Sequence, residues 1–91
     1  MNRNTIYYFL DEESGLDRRY WKIGTGNYPV FRPPYKWDHC YLLVDGMRFS
    51  DIELLILFSN ELVVKFDDRL DNNRQVNIPY KNINCIEVRE D

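Results

Sequence analysis

Residues 50–67 read SDIELLILFSNELVVKFD, and the fold turns on whether the first half of this stretch is a helix or a strand. Ser50 with Glu53 three residues on is a capping-box pattern, which would start a short helix over residues 51–59. Against that, Ile52, Leu54, Ile56 and Phe58 alternate with Glu53, Leu55 and Leu57, as in a strand covered on both faces. Ser59-Asn60 then makes a turn, after which Leu62, Val64 and Phe66 alternate with Glu61, Val63, Lys65 and Asp67. The hairpin is the reading taken here, and it makes the chain all-β. A helix at 51–59 is the alternative, and it would make the fold α+β.

Downstream, DDRLDNNR (residues 67–74) is polar, with Asn72-Asn73 suited to positive φ, and is expected at a hairpin tip. Gln75 to Pro79 and Ile83 to Val88 follow as two closing strands, with Pro79 at a strand end because it cannot donate to a ladder. Upstream, HCYLLV (His39 to Val44) reads as a strand, and Asp45-Gly46 is a two-residue hairpin signal into Met47 to Phe49. Nearer the start, Asn4 to Leu10 is β-branched and aromatic. The expectation there is a first strand with Ile6, Tyr8 and Leu10 on one face, a hairpin loop at DEESG, and a second strand over Arg18 to Ile23. Residues 24–38 then form a long connection, held extended at Pro33-Pro34, with Val30 to Tyr35 across the mouth of the barrel.

Composition agrees with this reading. Alanine, the best helix former, is absent from the 91 residues, while Ile, Val, Tyr, Phe and Trp are plentiful. The expected architecture is a single domain, residues 1–91: a small antiparallel β-roll or partly open barrel of six to eight short strands. The longest apolar run, Leu54 to Phe58, is far below the roughly 20 residues of a membrane helix. The first residues contain neither a basic segment leading into a long apolar run nor a small-residue cleavage site. A cytoplasmic protein with reduced Cys40 and Cys85 is expected, with Cys40 on the core side beside Leu42 and Val44.

Charge is strongly segregated. RRYWKIGTGNYPVFRPPYKW, residues 18–37, holds five basic residues and six aromatics and not one acid. The window carries +5, so the remainder, with seven basic groups against fifteen acids, carries −8. Arginine offers a planar fork for carboxylate or phosphate, and tyrosine and tryptophan offer contact faces. The same three residue types dominate protein-interface hot spots. The candidate binding residues are therefore Arg18, Arg19, Tyr20, Lys22, Tyr28, Phe31, Arg32, Tyr35, Lys36 and Trp37. The competing account is that a small core consumes Trp21 and Phe31 while the arginines are solvated. Arg32 and Lys36 are expected as exposed steering charges whose reversal costs little stability, within about 0.5 kcal/mol.

The remaining motifs favour bland readings. Gly24-Thr25-Gly26-Asn27 lacks the following Lys-Ser/Thr and the helix start of a phosphate cradle, so it reads as a turn. Asp38-His39-Cys40 places its histidine and thiol on opposite faces of a strand, which a nucleophile and its base cannot use. Two cysteines and one histidine fall short of a structural zinc site, and Asp67 to Asn73 lacks the spacing of a calcium loop. No cofactor or metal is expected. The functional expectation is a non-catalytic binding protein: a small inhibitor or accessory factor that engages the acidic face of a protein partner through residues 18–37. The alternative is a binder that sequesters a nucleotide or other phosphorylated small molecule in the same segment. The net charge of −3 argues against non-specific nucleic-acid binding, which needs a broad basic surface.

Overall fold

Leu54–Leu57 and Glu61–Lys65 pair antiparallel, Leu55 opposite Val64 and Leu57 opposite Leu62, so the deciding stretch is a β-hairpin and not a helix. The computed structural model describes residues 1–17, 21–25, 28–32, 40–67 and 74–90; for residues 14–17, 21–25 and 40 it describes the backbone alone. The element order is α1 (Arg3–Asp17), β1 (Trp21–Thr25), β2 (Tyr28–Arg32), β3 (Cys40–Val44), β4 (Met47–Phe49), β5 (Leu54–Leu57), β6 (Glu61–Lys65), β7 (Gln75–Pro79), a 3-10 turn (Tyr80–Asn82) and β8 (Ile86–Glu90). Five strands form one sheet in the order β1-β2-β5-β6-β7, and three form a second in the order β4-β3-β8. Every pairing is antiparallel. The eight described strands fall within the expected range and make the fold the mostly β, antiparallel class that was expected, arranged as two sheets.

The register explains the core. Phe31 lies opposite Leu55, Leu55 opposite Val64 and Val64 opposite Val76, while Leu57 faces Leu62 and Leu62 faces Ile78. Directly opposed residues project to the same side of a sheet, so these side chains make one continuous apolar face. The second sheet contributes Leu42, Val44, Phe49 and Ile86 to the same cluster, and Ile52, Tyr80 and Ile83 fill in from the connections. On the other side of β6, Val63 and Lys65 are buried as well. The strand reading of that segment anticipated cover on both faces of β5, whereas it is β6 that is buried most completely.

Two turns follow the expected chemistry. Asp45 and Gly46 have φ of +49° and +83°, the double positive φ that a two-residue hairpin turn requires. The Asp45 side chain then accepts hydrogen bonds from the backbone N–H groups of Asn84 (3.1 Å) and Cys85 (2.8 Å), and its own N–H donates to the Cys85 carbonyl at 2.9 Å. This ties the β3–β4 turn to the start of β8. At the end of β7, Pro79 pairs with Glu61 and closes the strand, as its missing donor demands. The β6–β7 pairing is the expected hairpin; its tip, residues 68–73, lies outside the described residues.

The N-terminal expectation is overturned. Residues 3–17 form a helix, not a strand followed by a hairpin loop at DEESG. Asn2 Oδ1 accepts the backbone N–H of Thr5 (2.9 Å) and its hydroxyl (3.0 Å), which satisfies an otherwise free first-turn donor. A spacing of four residues is common to one face of a helix and one face of a strand, so burial of Ile6 and Leu10 fits both. Tyr8 discriminates: a strand would place it with them, and here it is 68% exposed while both neighbours are fully buried. The connection over residues 24–38 is corrected in part. Gly24 and Thr25 belong to β1, and Tyr28–Arg32 forms β2, pairing with β1 on one side and β5 on the other. Val30 and Phe31 are thus strand residues and not a cover over a barrel mouth. Residues 33–39 lie outside the described residues.

The helix makes a direct prediction. Leu10→Ala should cost about 2–5 kcal/mol by opening a cavity between α1 and the sheets, whereas Tyr8→Ala should stay within about 0.5 kcal/mol. Chemical denaturation of both variants checks this; similar losses at the two positions would restore the strand.

Candidate binding surface

The acid-free window enters the structure as an edge hairpin. β1 is the outermost strand of the five-stranded sheet, and it pairs with β2 from Trp21 opposite Arg32 to Thr25 opposite Tyr28. Within β2, Tyr28, Val30 and Arg32 alternate with Pro29 and Phe31, so the two kinds of residue face opposite ways. Phe31 points into the core. It is fully buried, with its ring edge-on to that of Tyr7 at 5.9 Å. A fully buried side chain has no surface to offer a partner, so Phe31 leaves the set of candidate contact residues and the core accounts for it.

Tyr28 is 38% exposed and packs edge-to-face on Phe58 at 4.8 Å, which holds an aromatic face at the surface in one orientation. Arg32 sits four residues along on the same side of β2. Its Nη2 donates to Glu53 Oε1 at 2.6 Å, and the two side chains are 52% and 10% exposed. Glu53 is fixed further by its backbone N–H, which donates to the Lys65 carbonyl at 2.8 Å. Arg32 is therefore the counter-ion of a nearly buried carboxylate, which corrects its reading as a free steering charge. Of the other candidates, Lys22 is placed by its backbone alone, opposite Phe31 in β1. Arg18, Arg19, Tyr20, Tyr35, Lys36 and Trp37 lie outside the described residues, as do Asp38 and His39. Cys40 is placed in β3 by its backbone, so its expected position on the core side falls outside the description as well.

A second depression escaped the sequence reading. An open groove of about 810 Å³ runs where the start of α1 meets the β5–β6 turn and the 3-10 turn, lined among others by Arg3, Asn60, Glu61, Tyr80 and Lys81. Tyr80 anchors its floor: the hydroxyl donates to the Phe58 carbonyl at 2.6 Å, and the backbone N–H donates to the Asn60 carbonyl at 3.1 Å. Burial pushes the Tyr80 phenol up to about 12, against the opposing pull of the Arg3 guanidinium beside it. Glu61 Oε1 accepts a hydrogen bond from Asn77 Nδ2 at 2.9 Å. Only the fold joins these residues, because position 3 and position 81 have no sequence pattern in common.

Cys85 is a free, exposed thiol whose Sγ lies 3.4 Å from Glu87 Oε1. The hydrogen bond to that carboxylate raises the thiol's pKa and disfavours the thiolate, the form that reacts. Arg89 in turn holds the Glu87 carboxyl below its ordinary range. Among the described residues no group of three His, Cys, Asp or Glu side chains is placed to hold a metal ion. No described helix is long and apolar enough to cross a membrane.

Two expected outcomes follow from these contacts. Arg32→Glu should destabilise the protein by about 1–3 kcal/mol, because it sets a second negative charge against a nearly buried carboxylate, and Glu53→Gln in the same chain should recover most of the loss. Denaturant titration of the single and double variants measures both. For Tyr80, the folded state holds the phenolic proton more tightly than the unfolded chain, whose ordinary value is 10.0. Its contribution is complete below pH 10 and is lost as pH rises toward 12. Stability measured across that interval should fall more steeply for the native protein than for Tyr80→Phe. Set beside known proteins, the chain matches no family model, no curated protein and no solved structure.

Proposed function

We propose that this protein is a non-catalytic binding module, a small inhibitor or accessory factor that engages an acidic surface of a protein partner through the β1–β2 hairpin and the basic, aromatic residues around it. The observation that carries this reading is the coincidence of charge and position. The longest acid-free stretch of the chain, which is also its most basic, supplies both strands of a hairpin at the edge of the larger sheet. An edge strand has one row of backbone donors and acceptors unused within its own sheet, so a partner segment has both main-chain and side-chain groups to meet. Tyr28 adds an exposed, pre-oriented ring on the neighbouring strand. With Arg32 committed to Glu53, steering falls to Arg18, Arg19, Lys22 and Lys36.

The two classes of side chain are expected to act on different rates. Exposed charges chiefly accelerate encounter and are screened over about 8 Å at physiological ionic strength, so Lys22→Glu with Lys36→Glu should slow association and flatten its salt dependence. Tyr28→Ala should instead speed dissociation, since lost contact area shows in the off-rate. Affinity capture from the native host followed by surface-binding kinetics tests both. An affinity untouched by all three changes would reject the hairpin as the contact surface, and a captured nucleotide would move the reading to the small-molecule alternative.

A further inference from the structure

The groove beneath the start of α1 holds a combination that the hairpin reading does not use. Among the described residues Arg3 Nε is buried and has no hydrogen-bond partner, while the guanidinium lies beside the Tyr80 phenol. A buried donor left without an acceptor costs about 1–3 kcal/mol, and more when it belongs to a charged group, so such an atom marks a position where an acceptor is missing. Arg3 lines both the large groove and an adjoining pocket of about 220 Å³ walled by Tyr7, Tyr8 and Pro29. Lys81, exposed on the 3-10 turn, brings a second side-chain cation to the large groove, where the Met1 ammonium is already engaged by the Tyr80 and Ile83 carbonyls, and among the described residues neither side-chain cation is part of an ion pair.

The groove is firmly built. Tyr80 is anchored to the β5–β6 turn by its hydroxyl and its N–H, and the 3-10 turn that carries Lys81 closes through the Ile83 N–H to the Tyr80 carbonyl at 3.0 Å. The cations are therefore held on a fixed floor and not on a loose loop. Glu61 stands on the same lining with Oε1 engaged by Asn77, which leaves Oε2 able to accept from a ligand donor. The volume of about 810 Å³ lies in the range of small-molecule sites.

We propose that this groove is a binding site for a small organic oxyanion, whose carboxylate or phosphate group is gripped between Arg3 and Lys81 while a hydrogen-bond donor on the same molecule meets Glu61. A guanidinium presents parallel N–H groups to two oxygens of such a group, and an ammonium adds a point charge, an arrangement suited to either anion. Glu61 disfavours a ligand that is anionic throughout and favours one that also carries an amine, amide or hydroxyl. The site shares no residue with the Tyr28 and Arg32 surface, so it stands or falls separately from the proposed protein contact.

Titration of the isotopically labelled full chain with L-glutamate, adenosine monophosphate and inorganic phosphate, each followed through the backbone amide resonances, tests the site and separates the two anion chemistries. The expected result is a saturable shift at Arg3, Asn60, Glu61 and Lys81 with L-glutamate or adenosine monophosphate, stronger than with inorganic phosphate, which lacks the organic body that fills the groove. Lys81→Gln, at an exposed position, should weaken the binding about tenfold while the spectrum remains that of the folded protein, and Tyr28→Ala should leave it unchanged. Absence of saturable shifts at these amides up to about 10 mM of every probe would overturn the proposal. So would a response undiminished in Lys81→Gln.

Discussion

The apolar face of the five-stranded sheet has to be covered, and the rest of the structure answers that demand. Phe31, Leu55, Leu57, Leu62, Val64 and Ile78 lie on one side by register, and a sheet of this size standing alone would leave that side in water. In a 91-residue chain only about two thirds of the unfolded surface can be hidden, so few residues are left over for the cover. The chain supplies it twice, with the three-stranded sheet and with Ile6 and Leu10 of α1. The helix is thus an obligatory part of the core layer even though an alanine-free sequence gives it little intrinsic propensity; tertiary burial outweighs that weakness.

Two side chains fasten the connections of each sheet where backbone ladders do not reach. Tyr80 places its ring in the core and its hydroxyl on the Phe58 carbonyl, so the β5–β6 turn and the segment leaving β7 are held as one unit. Asp45 does the equivalent work at the second sheet. Its carboxylate collects the N–H groups of Asn84 and Cys85, which supports the positive φ of the turn residue that carries it. Each tie joins positions more than twenty residues apart, and each uses a charged or hydroxyl group to satisfy backbone atoms that irregular segments leave unpaired.

The Arg32–Glu53 pair shows how the same fold reshapes the electrostatics of the basic window. A carboxylate from outside the acid-free stretch is brought against it and nearly buried there, so one of the five basic groups is spent on structure. Charge segregation along the chain is therefore not identical to charge segregation on the surface. The groove at Arg3 is the complementary case, in which a cation far from the window in sequence forms no ion pair among the described residues and keeps its Nε donor in reserve.

The amino-acid sequence by itself determined the features that local chemistry controls: the β5–β6 hairpin, the Asp45-Gly46 turn, the Pro79 strand end and the predominantly antiparallel β class. Each depends on alternation or on a residue-specific backbone preference that acts within a few positions. The sequence did not separate helix from strand at residues 3–17, because Ile6 and Leu10 satisfy both periods and only the exposure of Tyr8 tells them apart. The signal that was available is Asn2 ahead of Thr5, a cap visible as a residue type but not as a bond until the turn is built. Tertiary structure alone decided that Phe31 belongs to the core and Arg32 to Glu53. It also decided that Arg3, Glu61 and Lys81 line one groove. The physical reason is common to all of these: burial and pairing are properties of neighbours in space, and the pairing of strands brings together residues whose separation along the chain carries no pattern.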